Sequence, residues 1–288
     1  MKQRIIFFGS GTYTLPIIKA LKPHGLILVV TTEKKGSFTQ FLVQEHVQFI
    51  SSNLKQKEDI DNINDSKPTL GVLASYGAVI PKKVLGMFPM GILNIHPSLL
   101  PKYKGPSPIQ ATILNGEKET GITIIILDEQ VDHGPIVSQA KITLEGNETA
   151  DQLKDLLFTK GAEMISSIIR IIERGKKIKY VSQDHSKEVF TQKIARNDGY
   201  IDINNPPQPH VLARMIKAYH PWPGVWTKWQ MENGRVKIIK LLPNNKIQAE
   251  GKKPMAYRDF INGYQEPARR LLEKLKLLPF PACRQAGS

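Results

Sequence analysis

Asn94 and His96 stand two residues apart in a short apolar run that Pro97 closes. On a β-strand that spacing sends both side chains to one face, and a proline ends the ladder. The pattern predicts an amide beside an imidazole at a strand end, where open α/β sheets bind ligands. An Asn amide donates hydrogen bonds to an oxygen that gains negative charge. A His moves a proton near neutral pH. Together they suit attack of an amine on a carbonyl. Ser98 is not in a nucleophile elbow and no Cys is near, so direct transfer without a covalent enzyme intermediate is expected. By residue type alone, the pair also fits a purely structural role.

Such a pair needs a group to hold and tune the imidazole, and Asp132 is the best candidate. It lies on a loop after a β-rich run, and Gly134 lets that backbone approach a ligand closely. His133 in the same loop reads as a solvent-facing neighbour.

The elements that must carry these residues follow from hydropathy patterning. Arg4–Phe8, Leu26–Thr31 and Leu70–Ser75 are buried-type strands, and Gly91–His96 is the central one. A Gly-rich turn and a helix from Thr14 to Lys22 join the first two. Thr14 stands where a dinucleotide fingerprint has its third glycine, and Thr31 and Thr32 where it has an acid, so no nicotinamide cofactor is expected. Segment 38–66 is weakly patterned, with a strand near Val47–Ile50, and a short helix covers Pro81–Leu85. Ser107, Pro108 and Gln110 start a helix that Gly116 stops. Strands follow at Gly121–Leu127 and Ile136–Leu144. After a capping pair at Thr149 and Gln152, a long helix places Leu153, Leu156, Leu157, Met164, Ile165, Ile168 and Ile172 on one face. The expected organisation is a Rossmann-like α/β domain over 1–175 with a mostly parallel sheet, and a linker over 176–205. A small truncated OB-like β-barrel follows over 206–278, and a disordered tail over 279–288. The barrel strands are Val225–Met231, Val236–Leu241 and Lys246–Ala249, with a last helix at Glu266–Lys276. Trp222, Trp226 and Trp229 read as core.

At 288 residues and 41% hydrophobic residues the chain is that of a globular protein. The runs Leu26–Val30 and Ile122–Leu127 are too short to span a bilayer, and Met1–Gly9 is no signal peptide. A cytoplasmic monomer is expected. Cys283 is the sole cysteine, which removes disulfides and Cys-based metal sites. The net charge is +14, and residues 181–288 hold 18 basic against nine acidic side chains. A basic surface suits a polyanion, nucleic acid first.

The string Asn94-Ile-His-Pro-Ser-Leu-Leu-Pro101, followed by Lys-Tyr-Lys-Gly105, resembles the signature of the folate-dependent formyltransferases. The segment Leu127–Ile136 resembles their second signature, with an Asp two residues before a Gly. The resemblance implies a catalytic set of Asn94, His96 and Asp132, with no metal. The implied donor is 10-formyltetrahydrofolate, bound by Ser98, Leu99, Leu100 and Pro101, by Tyr76, Gly77, Ala78 and Ile80, and by Val131 and Gly134. A primary amine would attack the formyl carbon, Asn94 and protonated His96 would stabilise the oxyanion, and Asp132 would favour the protonated imidazole and relay a proton through water. The stretches Ala218–Gly224 and Gly251–Phe260 resemble the domain junction and terminal element of members that formylate methionyl-initiator tRNA. The alternative acceptor within the family is a nucleotide-linked amino sugar, and a non-catalytic RNA- or folate-binding relic is a third reading. Two departures stand out. The basic loop after the second strand is short, leaving Lys34 and Lys35, and the barrel is short as well. Lys102 and Lys104 are the expected phosphate contacts beside the active-site mouth.

Overall fold

The computed structural model describes residues 3–231 and 234–278, so the expected tail over 279–288, with Cys283, lies outside the described residues. The chain divides into two compact units. The first holds residues up to Thr112, Lys118–Glu145 and Gln152–Lys193. The second holds Ile113–Glu117, Gly146–Asp151 and the chain from Ile194 on.

The first unit is built on a seven-stranded sheet. Its strands are β1 (Ile5–Gly9), β2 (Leu26–Thr31), β3 (Phe49–Ser51), β4 (Leu70–Ala74), β5 (Ile92–His96), β6 (Glu119–Ile126) and β7 (Ile136–Thr143), in the order β3-β2-β1-β4-β5-β6-β7. The pairings from β3 to β5 are parallel, and β6 and β7 join antiparallel. β1 is buried throughout, as a continuous apolar run in a doubly covered parallel sheet should be, and β5 is buried throughout although it carries Asn94 and His96. The order reverses at β1 and β4, the switch point where such sheets open a crevice.

The helices α1 (Leu15–Leu21), α2 (Ser37–Gln44), α3 (Lys57–Asp65), α4 (Lys82–Leu85), α5 (Pro108–Leu114) and α6 (Ala150–Glu173) connect the strands. Gly161 of α6 lets that helix lie close on the sheet. A Cβ there would meet Ile95 Cγ2 at 2.6 Å and Ile122 Cδ1 at 2.9 Å. Leu153, Leu157, Ile165, Ile168 and Ile172 are buried as the periodicity predicts, whereas Leu156 is 49% exposed. Segment 38–66 holds two helices that its weak pattern does not announce. α3 carries only Ile60 and Ile63 as apolar residues, and α2 starts on Gly36 with Thr39 bonded back to that residue's N–H and C=O.

Segment 176–205 is not one linker but divides. Residues up to Lys193 belong to the first unit, where Val181 bridges Ile136 and Phe190 bridges Lys104, and Ile194 begins the second. The second unit contains α7 (Pro209–Ala218), the strands β8 (Val225–Gln230), β9 (Val236–Leu242), β10 (Lys246–Ala249) and β11 (Met255–Ala256), and α8 (Tyr257–Lys274). Its four strands form an antiparallel sheet in the order β11-β10-β9-β8, the truncated form of the expected barrel. Asn244 and Asn245 take left-handed backbone to turn β9 into β10. α8 begins earlier than its pattern suggests and breaks at Gln265, just before Pro267. Trp229 packs with Phe260 and Tyr264. Trp222, expected in the core, is 58% exposed instead.

Candidate active site

β5 lies between β4 and β6. Asn94 pairs with Leu73 and Ile125, and His96 with Thr123. With the backbone paired to β6 at both residues and to β4 at Asn94, the two side chains leave the same face and line one cavity of about 500 Å³. That volume falls within the ~300–1,000 Å³ usual for small-molecule sites. Both residues are only 5% exposed.

Asp132 meets them from the loop between β6 and β7. Its Oδ1 accepts from Asn94 Nδ2 at 2.9 Å, and its Oδ2 accepts from the Gly105 N–H at 2.8 Å and lies 3.4 Å from His96 Nδ1. The other imidazole nitrogen, Nε2, faces the Tyr103 carbonyl at 2.8 Å. A carbonyl only accepts, so Nε2 carries a proton and Nδ1 is the position that exchanges one with the carboxylate side. Asn94 has a second amide proton beyond the one it gives Asp132. The cavity therefore presents a hydrogen-bond donor for a developing oxyanion and a His–Asp pair for a proton.

Asp132 is left-handed at φ 49°, an unusual setting for a residue with a side chain. Gly134 makes the loop possible in a way the sequence does not suggest. Its close approach is to β6 rather than to a ligand: a Cβ there would stand 1.8 Å from the Ile126 carbonyl oxygen.

The residues expected to bind the donor separate into two groups. Tyr76, Gly77, Ala78 and Val131 line the cavity with Asn94, His96 and Asp132. Ser98, Leu99, Leu100, Pro101, Ile80 and Gly134 do not. Ile80 is buried in the core with Phe8 and Val84. Ser98–Pro101 builds the turn beneath the site. Ser98 Oγ donates to the Lys102 carbonyl, Thr123 Oγ1 to the Ser98 carbonyl, and Gln139 Nε2 to the Leu100 carbonyl. This turn delivers the Tyr103 carbonyl and the Gly105 N–H to His96 and Asp132.

The cavity also has a wall that the sequence does not flag, made by Tyr13, Ser75, Lys154 and Phe158. Lys154 and Phe158 are four apart on α6, the spacing that puts two residues on one helix face. Tyr13 Oη and Ser75 Oγ are 2.7 Å apart, and Lys154 Nζ lies 4.5 Å from the Tyr13 ring centroid. Burial pushes the Tyr13 hydroxyl above its ordinary pKa, Ser75 works against this, and Glu33 adds to it. Tyr76 is also pushed up, first by burial and then by Asp59, and its hydroxyl donates to the Ser52 carbonyl. The Gly-rich turn after β1 is engaged from within, with the Gly11 N–H donating to Glu33 Oε1 at 2.6 Å.

Lys34, Lys35 and Lys102 are exposed. Lys104 is not the phosphate contact expected. It is fully buried, 2.8 Å from Glu188 Oε1, with Nζ 5.7 Å from the centroid of Phe190. His133 is not simply solvent-facing either. Its Nδ1 is 2.7 Å from Asp128 Oδ2, and its ring stacks on His185 at 4.0 Å.

A Rossmann-like sheet with an Asn, a His and an Asp converging at the end of a central strand defines a class of group-transfer proteins. The family model described as Formyl transferase matches residues 3–169, and the one described as Formyl transferase, C-terminal domain, matches residues 193–247. A methionyl-tRNA formyltransferase of Chloroflexus aurantiacus is 35% identical over 247 residues, covering 81% of this chain and 79% of the relative. One from Roseiflexus sp. strain RS-1 is 42% identical over 245 residues, covering 80% and 74%. Among solved structures, a 4-N formyltransferase from Francisella tularensis superposes with a TM-score of 0.67 at 19% identity, covering 84% of this chain and 98% of that one. The last similarity concerns the fold alone. The chain belongs to the formyl transferase family.

Proposed function

We propose that this protein transfers the formyl group of 10-formyltetrahydrofolate to the amino group of methionyl-initiator tRNA, in the cytoplasm and as a monomer. The observation that carries the reading is the meeting of Asn94, His96 and Asp132 in one cavity. It is supported by identities of 35% and 42% to relatives bearing the methionyl-tRNA formyltransferase name. In the reaction the amine nitrogen bonds to the formyl carbon, the bond from that carbon to N10 of the folate breaks, and one proton passes from the amine to N10.

The chain's residues have separate parts in this. Asn94 gives its remaining amide proton to the oxygen that becomes negative. His96, with Nε2 tied to Tyr103, works through Nδ1, where Asp132 holds the proton in transit. The backbone of residues 76–78 and Val131 receive the donor's ring system. Lys34, Lys35 and Lys102 contact phosphates of the acceptor.

The test is formyl transfer to methionyl-initiator tRNA, with His96→Ala and Asn94→Ala beside the intact protein. Each substitution should lower kcat by about 10²–10³, the usual effect of removing one such donor. Variants as fast as the intact protein would remove the catalytic assignment. Transfer to a nucleotide-linked amino sugar, with none to tRNA, would replace the acceptor.

A further inference from the structure

Residues 170–192 fall between the two family-matched stretches, yet part of this segment grips both loops of the site. Val181 exchanges backbone hydrogen bonds with Ile136, just past the Asp132 loop. Thr191 binds the other loop. Its N–H donates to the Lys104 carbonyl, and its Oγ1 accepts from the Ser107 N–H. Between these anchors Gln183 enters the interior and is only 6% exposed. Its Nε2 donates to the Asp132 carbonyl at 2.9 Å and to the Gly134 carbonyl at 2.7 Å.

Two features make this contact specific to the Asp132 loop. Both partners are carbonyls, so the amide nitrogen must face them and both its protons are committed. Gln183 Oε1 is left buried with no hydrogen-bond partner among the described residues. Buried acceptors are seldom left this way, and here the amide forgoes one bond while making the two that pin the loop. The loop needs pinning because Asp132 holds a left-handed backbone that most side chains disfavour.

We infer that Gln183 is a positioning residue for the transfer reaction: it fixes the backbone on both sides of His133, so that the Asp132 carboxylate stays on Asn94, on the Gly105 N–H and beside His96. This rests on the proposed formyl transfer. Gln183 touches no reacting atom and acts only through Asp132.

The experiment compares Gln183→Leu, Gln183→Glu, Asp132→Asn and the Gln183→Leu/Asp132→Asn double variant. Each Gln183 variant should lower kcat by about 10- to 100-fold, as expected when a catalytic group moves by about an ångström. KM for donor and acceptor should change by less than about twofold. The double variant should be no slower than Asp132→Asn alone, because residues acting as a unit are not additive. Losses that multiply, or an effect confined to KM, overturn the inference. Gln183→Glu keeps the shape and covers the case in which Gln183→Leu does not fold. Its activity relative to the intact protein should rise as pH falls, because a protonated carboxyl regains one donor, and a flat ratio overturns the inference. Hydrogen exchange at the Gly105 amide is read in substrate-free protein and should be faster in either variant, and unchanged exchange overturns the inference. An intact protein without transfer activity would instead refute the functional reading, and the exchange result would still decide the role of Gln183.

Discussion

Gly134→Ala isolates the geometry of the Asp132 loop from its chemistry. The new methyl group touches no substrate and changes no charge. Gly134 is not in the left-handed region, so alanine meets no positive-φ strain there and what remains is the steric effect. The Cβ would sit 1.8 Å from the Ile126 carbonyl oxygen, with Asp128 N at 3.6 Å. Ordinary contact lies near 3.5 Å, so the loop must lift off β6 by roughly 1.7 Å. The atoms the methyl group strikes, the Ile126 carbonyl oxygen and carbon, belong to backbone, so no flexible side chain can absorb the clash. Asp132 is two residues away, and its carboxylate would leave the Gly105 N–H and the His96 ring together. A misplacement of this size costs about 10² in rate, whereas forced overpacking costs only ~1–3 kcal/mol of stability. The expected result is a kcat for formyl transfer down about 100-fold in a protein that still melts cooperatively, a few degrees lower. Gly263→Ala is the control. It lies in α8 with nothing within 4 Å of its Cβ and no left-handed backbone, so it should leave kcat unchanged. A Gly134→Ala variant with the kcat of the intact protein would refute the idea that the packing of this loop on β6 sets the carboxylate.

Two further outcomes follow from the surface charges. If Lys34, Lys35 and Lys102 contact acceptor phosphates, replacing all three by alanine should weaken tRNA binding and flatten its salt dependence by about one unit of logarithmic slope per lysine; an unchanged slope would place the tRNA elsewhere. The Asp184 carboxyl is lowered from an ordinary 3.8 to about 2, chiefly by its bond to Lys187 and then by that to Ser186. Because its folded value is depressed, the stabilisation it gives is complete above the ordinary value and is lost as pH falls toward 2. An NMR titration should therefore place its midpoint near 2 and shift it back toward 3.8 in Lys187→Ala; an ordinary midpoint in the intact protein would contradict the contact.

The parts of the fold that were legible in the sequence are those set by local pattern. β5 reads correctly because an apolar run closed by proline has few alternatives, and the two-residue spacing of Asn94 and His96 survives a shift of either strand end. The misses have a common physical cause. α3 has too few apolar residues to show a helical period, yet Ile63, with Ile60 beside it, buries one face. α8 begins at Tyr257, but the backbone breaks at Gln265 just before Pro267, so a continuous helical period does not run through it and only its second half is expected from the sequence. Lys104 reads as a surface lysine because its partner Glu188 lies 84 residues downstream.

The three catalytic candidates differ in the same respect. Asn94 and His96 are positioned by the strand they belong to, Asn94 paired with both β4 and β6 and His96 with β6, so their neighbours in sequence suffice to find them. Asp132 has no such frame. Its carboxylate is met by a side chain from β5 and an N–H from the turn beyond Pro101, and its carbonyl by an amide from residue 183. A glutamine in a polar stretch without periodicity carries no signal of that duty, since what it recognises is two carbonyls and not a side chain. Residues that hold a catalytic loop by its backbone therefore escape a reading based on residue type. They can be found only where the structure shows a buried amide giving up one hydrogen bond to make two others.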